Sequence, residues 1–330
     1  MKSIKIICTL GPSSYKKKVL YLLKKKKIDI FRINLSHTPK NQIKTKIIYL
    51  KNKKIKNICI DTEGAQLRTT KCKKKYFLKK NNVIKILNSN LDSNDKEISL
   101  YPKFDILSVK NKTNIFIGFN DLKIQVLKSI KEKKMLICKV LQSGYLESNK
   151  GVHFNTDLKL PALTEKDIFA LKLSKKLNLK HYAISFVNSH SDIKLVKKYV
   201  GNNNFIISKI ETNNAIKNLK KISSLSSALL IDRGDLSRYV PIEKIPIVQE
   251  KVIKFLNKIK KPVYVATNLL ETMIVSNQPT RAESHDIYST LKQGASGLVL
   301  AAETAIGKNP VECVNFLKKC IKEFINKKKI

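Results

Sequence analysis

The chain has 330 residues, 42% hydrophobic and 28% charged, so it can bury a sizeable core and is not globally disordered. Ten Gly and nine Pro exclude a collagen-like or low-complexity chain, and the absence of Trp argues against a carbohydrate-stacking surface. Lys and Arg number 66 against 25 acids, a net charge of +41 that invites a nucleic-acid partner. Only five of the 66 are Arg, however: Arg32, Arg68, Arg233, Arg238 and Arg281. Arg carries the planar fork that grips phosphates and guanines, so a surface this poor in it is read against nucleic acid. Lys, Ile and Asn are residues of A+T-rich codons, and drift of the coding sequence accounts for most of the excess charge.

The N-terminal Met1–Ser14 has too short an apolar stretch before Gly11-Pro12 for a signal peptide and reads as a first strand. Strand-like runs follow at Asp29–Asn34 and Lys56–Asp61, with helical spacing over Lys16–Lys26 and Lys40–Lys53. From about Thr69 to Asn155 the helices stop. Short β runs (Val83–Leu87, Ile115–Phe119, Leu136–Leu141) stand between turn-forming Asn, Ser, Asp and Gly. Alternation then resumes, with strands at His181–Phe186, Asn204–Ile210, Ala228–Asp232, Pro262–Thr267 and Gly297–Ala301. Helical patterns cover Glu165–Asn178, Ser191–Val200, Asn213–Ser223, Glu243–Ile259, His285–Gln293 and Pro310–Lys327.

Strand and helix repeating eight times predict a (β/α)8 TIM barrel. The expected domains are a discontinuous barrel, 1–68 and 156–330, and an inserted all-β lid, 69–155, standing over the active-site face. No apolar run approaches the about 18 residues of a membrane span. Six cysteines without CxxC spacing read as buried free thiols of a cytoplasmic protein.

Reactive residues of such a barrel belong at the C-terminal strand ends. Strand two ends in Arg32-Ile33-Asn34-Leu35-Ser36-His37, strand three in Asp61-Thr62-Glu63-Gly64 with Arg68 behind it, and strand five in Lys209-Ile210-Glu211. Strand six ends in Asp232-Arg233-Gly234-Asp235, strand seven in Thr267-Asn268, and Glu303 follows strand eight. Lys209 and Glu211, two apart, face the same way. Glu211 and Asp235 from neighbouring strands form a candidate Mg2+ site, because Mg2+ takes few carboxylates and completes its octahedron with water and substrate oxygens. Lys209 and Arg32 beside them suit a phosphate and a developing negative charge. There is no P-loop and no Rossmann turn.

The segments KIICTLGPSS, FRINLSH, DTEGAQLRT, GVHFNTDLKLPALTEKD, ISKIET, IDRGDLS, PVYVATNLLETMI, PTRAESHDI and GASGLVLAAETAIGKNPVE together resemble the pyruvate kinases, in that family's order and over nearly all of residues 1–320. The resemblance implies phosphoryl transfer from phosphoenolpyruvate to ADP, giving pyruvate and ATP in cytosolic glycolysis, with Mg2+ and a possible call for K+. It assigns the substrate phosphate to Arg32, and the transferring phosphoryl group and enolate to Lys209. It assigns Mg2+ to Glu211 and Asp235, and phosphoenolpyruvate or pyruvate contacts to Gly234, Asp235 and Thr267. Thr267 also enters the proton relay. Asn34, Ser36, Asp61 and Thr62 would hold K+, and Asn34, His37, Arg68 and Lys150 would approach the nucleotide.

Five features depart from that family. Its C-terminal domain is expected to be absent, so a homo-oligomer would form through the barrel. Glu63 stands where a lysine is common, and Gln66 is neither the carboxylate of potassium-dependent members nor the lysine of independent ones. The lid's usual Asp-Asp-Gly turn is not evident around Asp121, and Asp232 replaces a common Ala. The alternatives are a paralogue with another phosphoryl acceptor or aldolase-like enolate chemistry, and a non-catalytic basic binding protein.

Overall fold

Eight short runs of Ile, Val and Leu are buried on both faces, as parallel strands under helices must be. In the computed structural model, which describes residues 4–64, 66–118, 122–156 and 158–326, they close into a parallel barrel. Its strands are β1 (Lys5–Leu10), β2 (Ile30–Asn34), β3 (Ile58–Asp61), β4 (His181–Ile184), β5 (Phe205–Ile210), β6 (Ala228–Asp232), β7 (Val263–Ala266) and β8 (Gly297–Leu300). Closure runs through β1 and β8, with Lys5 opposite Gly297 and Cys8 opposite Leu300. The space there is tight: a Cβ on Gly297 would lie 2.6 Å from the Lys5 carbonyl oxygen. The expected TIM barrel is present, strand for strand.

The helices follow the expected order, and two of the differences have a local cause. The one before β8 begins at Arg281, four residues before the expected His285, because Thr280 and Glu283 form a reciprocal capping box. The expected single helix from Asn213 breaks at Asn218 into Asn213–Lys217 and Leu219–Leu225. Asn218 there turns its amide to the Asn188 carbonyl at 2.9 Å.

Contacts divide the chain into one unit of residues 1–64 and 165–330 and a second of residues 65–164, correcting the expected 1–68, 69–155 and 156–330. The reason is pairing. Leu67–Thr69 is hydrogen-bonded to Gly151–Phe154 and to Glu97–Tyr101, so Arg68 belongs to the insert. At the other end Leu158 and Leu160 pack on the insert's core.

The insert is a closed all-β barrel of seven strands beside a two-stranded ribbon, Tyr76–Leu78 with Gly144–Leu146. Alternation builds it: in Val83–Leu87 the residues Ile84 and Ile86 point inward between exposed Val83 and Lys85. Its longest strand, Leu122–Ile130, pairs with both Met135–Gln142 and Asn114–Ile117. Asp121, the residue of the altered lid turn, lies outside the described residues. Among the described residues no helix is long and apolar enough to cross a membrane. Five of the six cysteines are buried, and all are free thiols.

Candidate active site

The period of two along a strand sets where the barrel core ends and its chemistry begins. Ile7, Ile30, Cys59, Ala183, Ile207 and Leu230 belong to the packed interior. Two residues further on, the same faces carry Thr9, Arg32, Asp61, Ser185, Lys209 and Asp232. The apolar plug is thus capped by one polar layer at the C-terminal ends of the strands. All six of these side chains are buried.

Lys209 is the centre of the layer. Its Nζ lies 2.7 Å from Glu211 Oε1, 3.2 Å from Asp232 Oδ2 and 3.8 Å from Asp61 Oδ1, and it donates to Ser185 Oγ at 3.1 Å. Burial alone would pull the ammonium down, but Asp61, Glu211 and Asp232 outweigh it and hold Lys209 well above the ordinary lysine range. Lys209 is therefore a fixed positive charge, not a proton acceptor. Arg32 completes the pair of cations. Its Nη1 stands 3.2 Å from Asp61 Oδ2, and its Nε donates to Thr9 Oγ1 at 2.8 Å. Nη1 is buried without a hydrogen-bond partner among the described residues, which leaves it donor capacity for an anion.

The carboxylates gather on the other side. Oxygens of Glu211, Asp232 and Asp235 lie within 4.8 Å of one another. Burial raises the Glu211 carboxyl to about 8 against the pull of Lys209, and Asp235 and Asp232 add to the rise. Burial acts on Asp232 in the same direction, but Lys209, Arg32 and the Thr267 hydroxyl hold it below the usual carboxylate range. Such crowding of oxygens is what a divalent cation relieves, and an all-oxygen donor set suits Mg2+. Of the two expected metal carboxylates, Glu211 also accepts the Phe186 amide at 2.6 Å, and Asp235 accepts Arg238 Nε at 3.1 Å.

Thr267 is held from three sides. Its hydroxyl donates to Asp232 Oδ1 at 2.7 Å, and its carbonyl accepts Arg233 Nε at 3.0 Å. Arg233 is itself fixed by a bidentate pair with Asp286, both contacts 2.8 Å. Thr267 (φ 78°) and Asn268 (φ 57°) are both left-handed. That backbone is costly for a β-branched residue and persists only where the surroundings enforce it. Gly234 faces Thr267 closely: a Cβ there would lie 2.9 Å from Thr267 Cγ2.

The remaining expected residues lie as follows. Asn34 and Ser36 meet at the end of β2, where Asn34 Oδ1 accepts the Ser36 amide at 2.9 Å. His37 ends the same turn, exposed. Thr62 Oγ1 accepts the Ser185 amide at 2.9 Å, next to Asp61. Within the insert, Arg68 Nη1 donates to the Asn149 carbonyl at 3.3 Å, and Lys150 pairs with Glu147 at 2.8 Å. Gln66 is buried with both amide atoms lacking a hydrogen-bond partner among the described residues. Glu63 meets Lys166 at 3.4 Å, so the acid at the lysine-favoured position has a cation of its own. Glu303 serves the backbone, accepting the amides of Leu270 and Ala301.

Sequence reasoning missed Thr9 and Ser185, which tie Arg32 and Lys209 into the layer. Their signal was positional: each lies two residues beyond an inward-facing core residue, Ile7 and Ala183. It also missed Asp286, whose link to Arg233 joins residues 53 apart in the chain and has no local pattern.

Residues 1–314 match the family described as pyruvate kinase, barrel domain. The chain is 33% identical to the pyruvate kinase of Thermotoga maritima over 98% of its own length and 71% of that protein's. It is 30% identical to the pyruvate kinases of Staphylococcus saprophyticus and Staphylococcus aureus, over 96% of its own length. It spans 56%, a little over half, of each of those two.

Proposed function

The chain belongs to the pyruvate kinase family, and we propose that it transfers the phosphoryl group of phosphoenolpyruvate to ADP, giving pyruvate and ATP. The observation that carries this is the buried layer in which Lys209 stands among Glu211, Asp232 and Asp61 with Arg32 beside it. Phosphoryl transfer asks little covalent chemistry of a protein; it needs positioning and neutralisation of charge. Arg32 Nη1 is placed to take a phosphate oxygen. Lys209 faces the charge that grows on the phosphoryl group and on the enolate oxygen left behind. Gly234 leaves room for the substrate against Thr267, and the Thr267 hydroxyl is positioned as a member of the relay that protonates the enolate carbon. Glu211 and Asp235 fit Mg2+, which when bound offsets phosphate charge and orients the phosphoryl oxygens.

Asn34, Ser36, Asp61 and Thr62 offer oxygens for K+, and Asn34, His37, Arg68 and Lys150 are proposed nucleotide contacts. The reaction is placed in the cytoplasm, where free thiols persist, and the barrel surface is the proposed route to a homo-oligomer.

Pyruvate formation from phosphoenolpyruvate and ADP tests the proposal. Turnover is expected with Mg2+ in the unaltered chain and is expected to vanish in Glu211→Ala. Consumption of phosphoenolpyruvate only with an acceptor other than ADP would replace ADP in the scheme. The same assay in K+ and in Na+ decides the meaning of Gln66, since equal rates would remove K+ from the site. A smaller substitution probes Thr267. Gly234→Ala must push the Thr267 methyl away, and a displacement near 1 Å costs about 10²-fold in rate. The expected result is a kcat/KM lower by that order with an unchanged melting temperature; full activity would show that Thr267 tolerates the shift.

A further inference from the structure

We infer that Asp232 is a third carboxylate ligand of the divalent-cation site, and that it lets the protein hold the cation before any phosphate-bearing substrate arrives. This rests on the assignment of Glu211 and Asp235 to Mg2+ made above. Asp232 ends β6, and its carboxylate lies within 4.8 Å of both others. It cannot swing aside easily. One oxygen is tied to the Thr267 hydroxyl at 2.7 Å and the other to Lys209 Nζ at 3.2 Å, while Thr267 is anchored through Arg233. The second observation is Glu211 Oε1. It is fully buried and, beyond its ion pair with Lys209 Nζ at 2.7 Å, has no further partner among the described residues. An acceptor so placed, with Oε2 already committed to the Phe186 amide, is aimed into the cluster and has coordination to spare.

Charge supports the same conclusion. Asp232 adds a third carboxylate to those of Glu211 and Asp235, on the same side as Lys209. With two carboxylates, Mg2+ depends on substrate phosphates to complete its shell. A third raises the affinity of the free protein for the cation. It also repels a phosphate dianion until the cation is bound, so the cation must bind first.

The test uses Mn2+ alone, titrated into the full chain without substrate and followed by the electron paramagnetic resonance of free Mn2+. The unaltered protein is expected to bind one Mn2+, and Asp232→Ala to bind it at least about tenfold more weakly, the loss of one charged ligand among three. Equal affinity in Asp232→Ala, or no binding by the unaltered protein without substrate, would overturn the inference. Full binding by Glu211→Ala would instead overturn the underlying metal assignment. Circular dichroism checks that each variant is folded. Should Asp232→Ala not fold, Asp232→Asn, which keeps the size and the acceptor for Thr267, is expected to show the same weakening.

Discussion

Lys209→Met is expected to lower kcat by at least about 10³-fold, or about 4 kcal/mol of transition-state stabilisation, while changing the apparent affinity for phosphoenolpyruvate far less. Methionine keeps most of the length and all of the apolar stem but removes the charge. In a buried layer that charge acts at low dielectric, where it is worth more than in water. It acts chiefly when charge has moved onto the phosphoryl and enolate oxygens, so the loss falls on kcat. Lys209 also separates three carboxylates, at 2.7, 3.2 and 3.8 Å. The variant should therefore melt lower than the parent and regain part of the difference with added Mg2+. Single-turnover transfer measured beside a melting curve separates the two effects. A kcat within tenfold of the parent would remove Lys209 from the transition state.

The barrel was legible because its signal is redundant. Eight apolar runs at regular spacing tolerate an error of a residue or two in each, and every one became a strand. The insert was less legible: Leu122–Ile130 (LKIQVLKSI) sets Leu, Ile and Val between Lys and Gln, which in a Lys-rich chain resembles a loop or a solvated helix. Leu67 and Arg68 were expected in the barrel because only the strand's partners, Gly151–Phe154 and Glu97–Tyr101, show where it belongs. Within the site, Lys209, Glu211 and Asp235 could be named from strand-end position and residue type. The ties that fix Thr267 could not. They run through Arg233 to Asp286 and through Asp232, contacts 34 to 53 residues apart that no local periodicity encodes. Asp232 shows the remaining gap: the sequence revealed an added acid, and only the structure shows it joined to both Lys209 and Thr267.

Asp61→Ala is expected to destabilise the barrel by about 3–5 kcal/mol, because it strands the buried Arg32 guanidinium. Asp61 is 1% exposed, with Arg32 Nη1 at 3.2 Å and Lys209 Nζ at 3.8 Å. Glu211 and Asp232 still neutralise Lys209 when Asp61 is gone. Among the described residues Arg32 keeps only the neutral Thr9 hydroxyl as a close partner, so the penalty falls mainly on its guanidinium. A double-mutant cycle isolates that penalty. Arg32→Met in the Asp61→Ala background removes the stranded charge, and the double variant should be more stable than Asp61→Ala alone. Denaturant unfolding of the four proteins, metal-free, reads the coupling directly. Additive losses would mean that water reaches the pair and screens it, and the low-dielectric layer assigned to Lys209 would lose its basis with it.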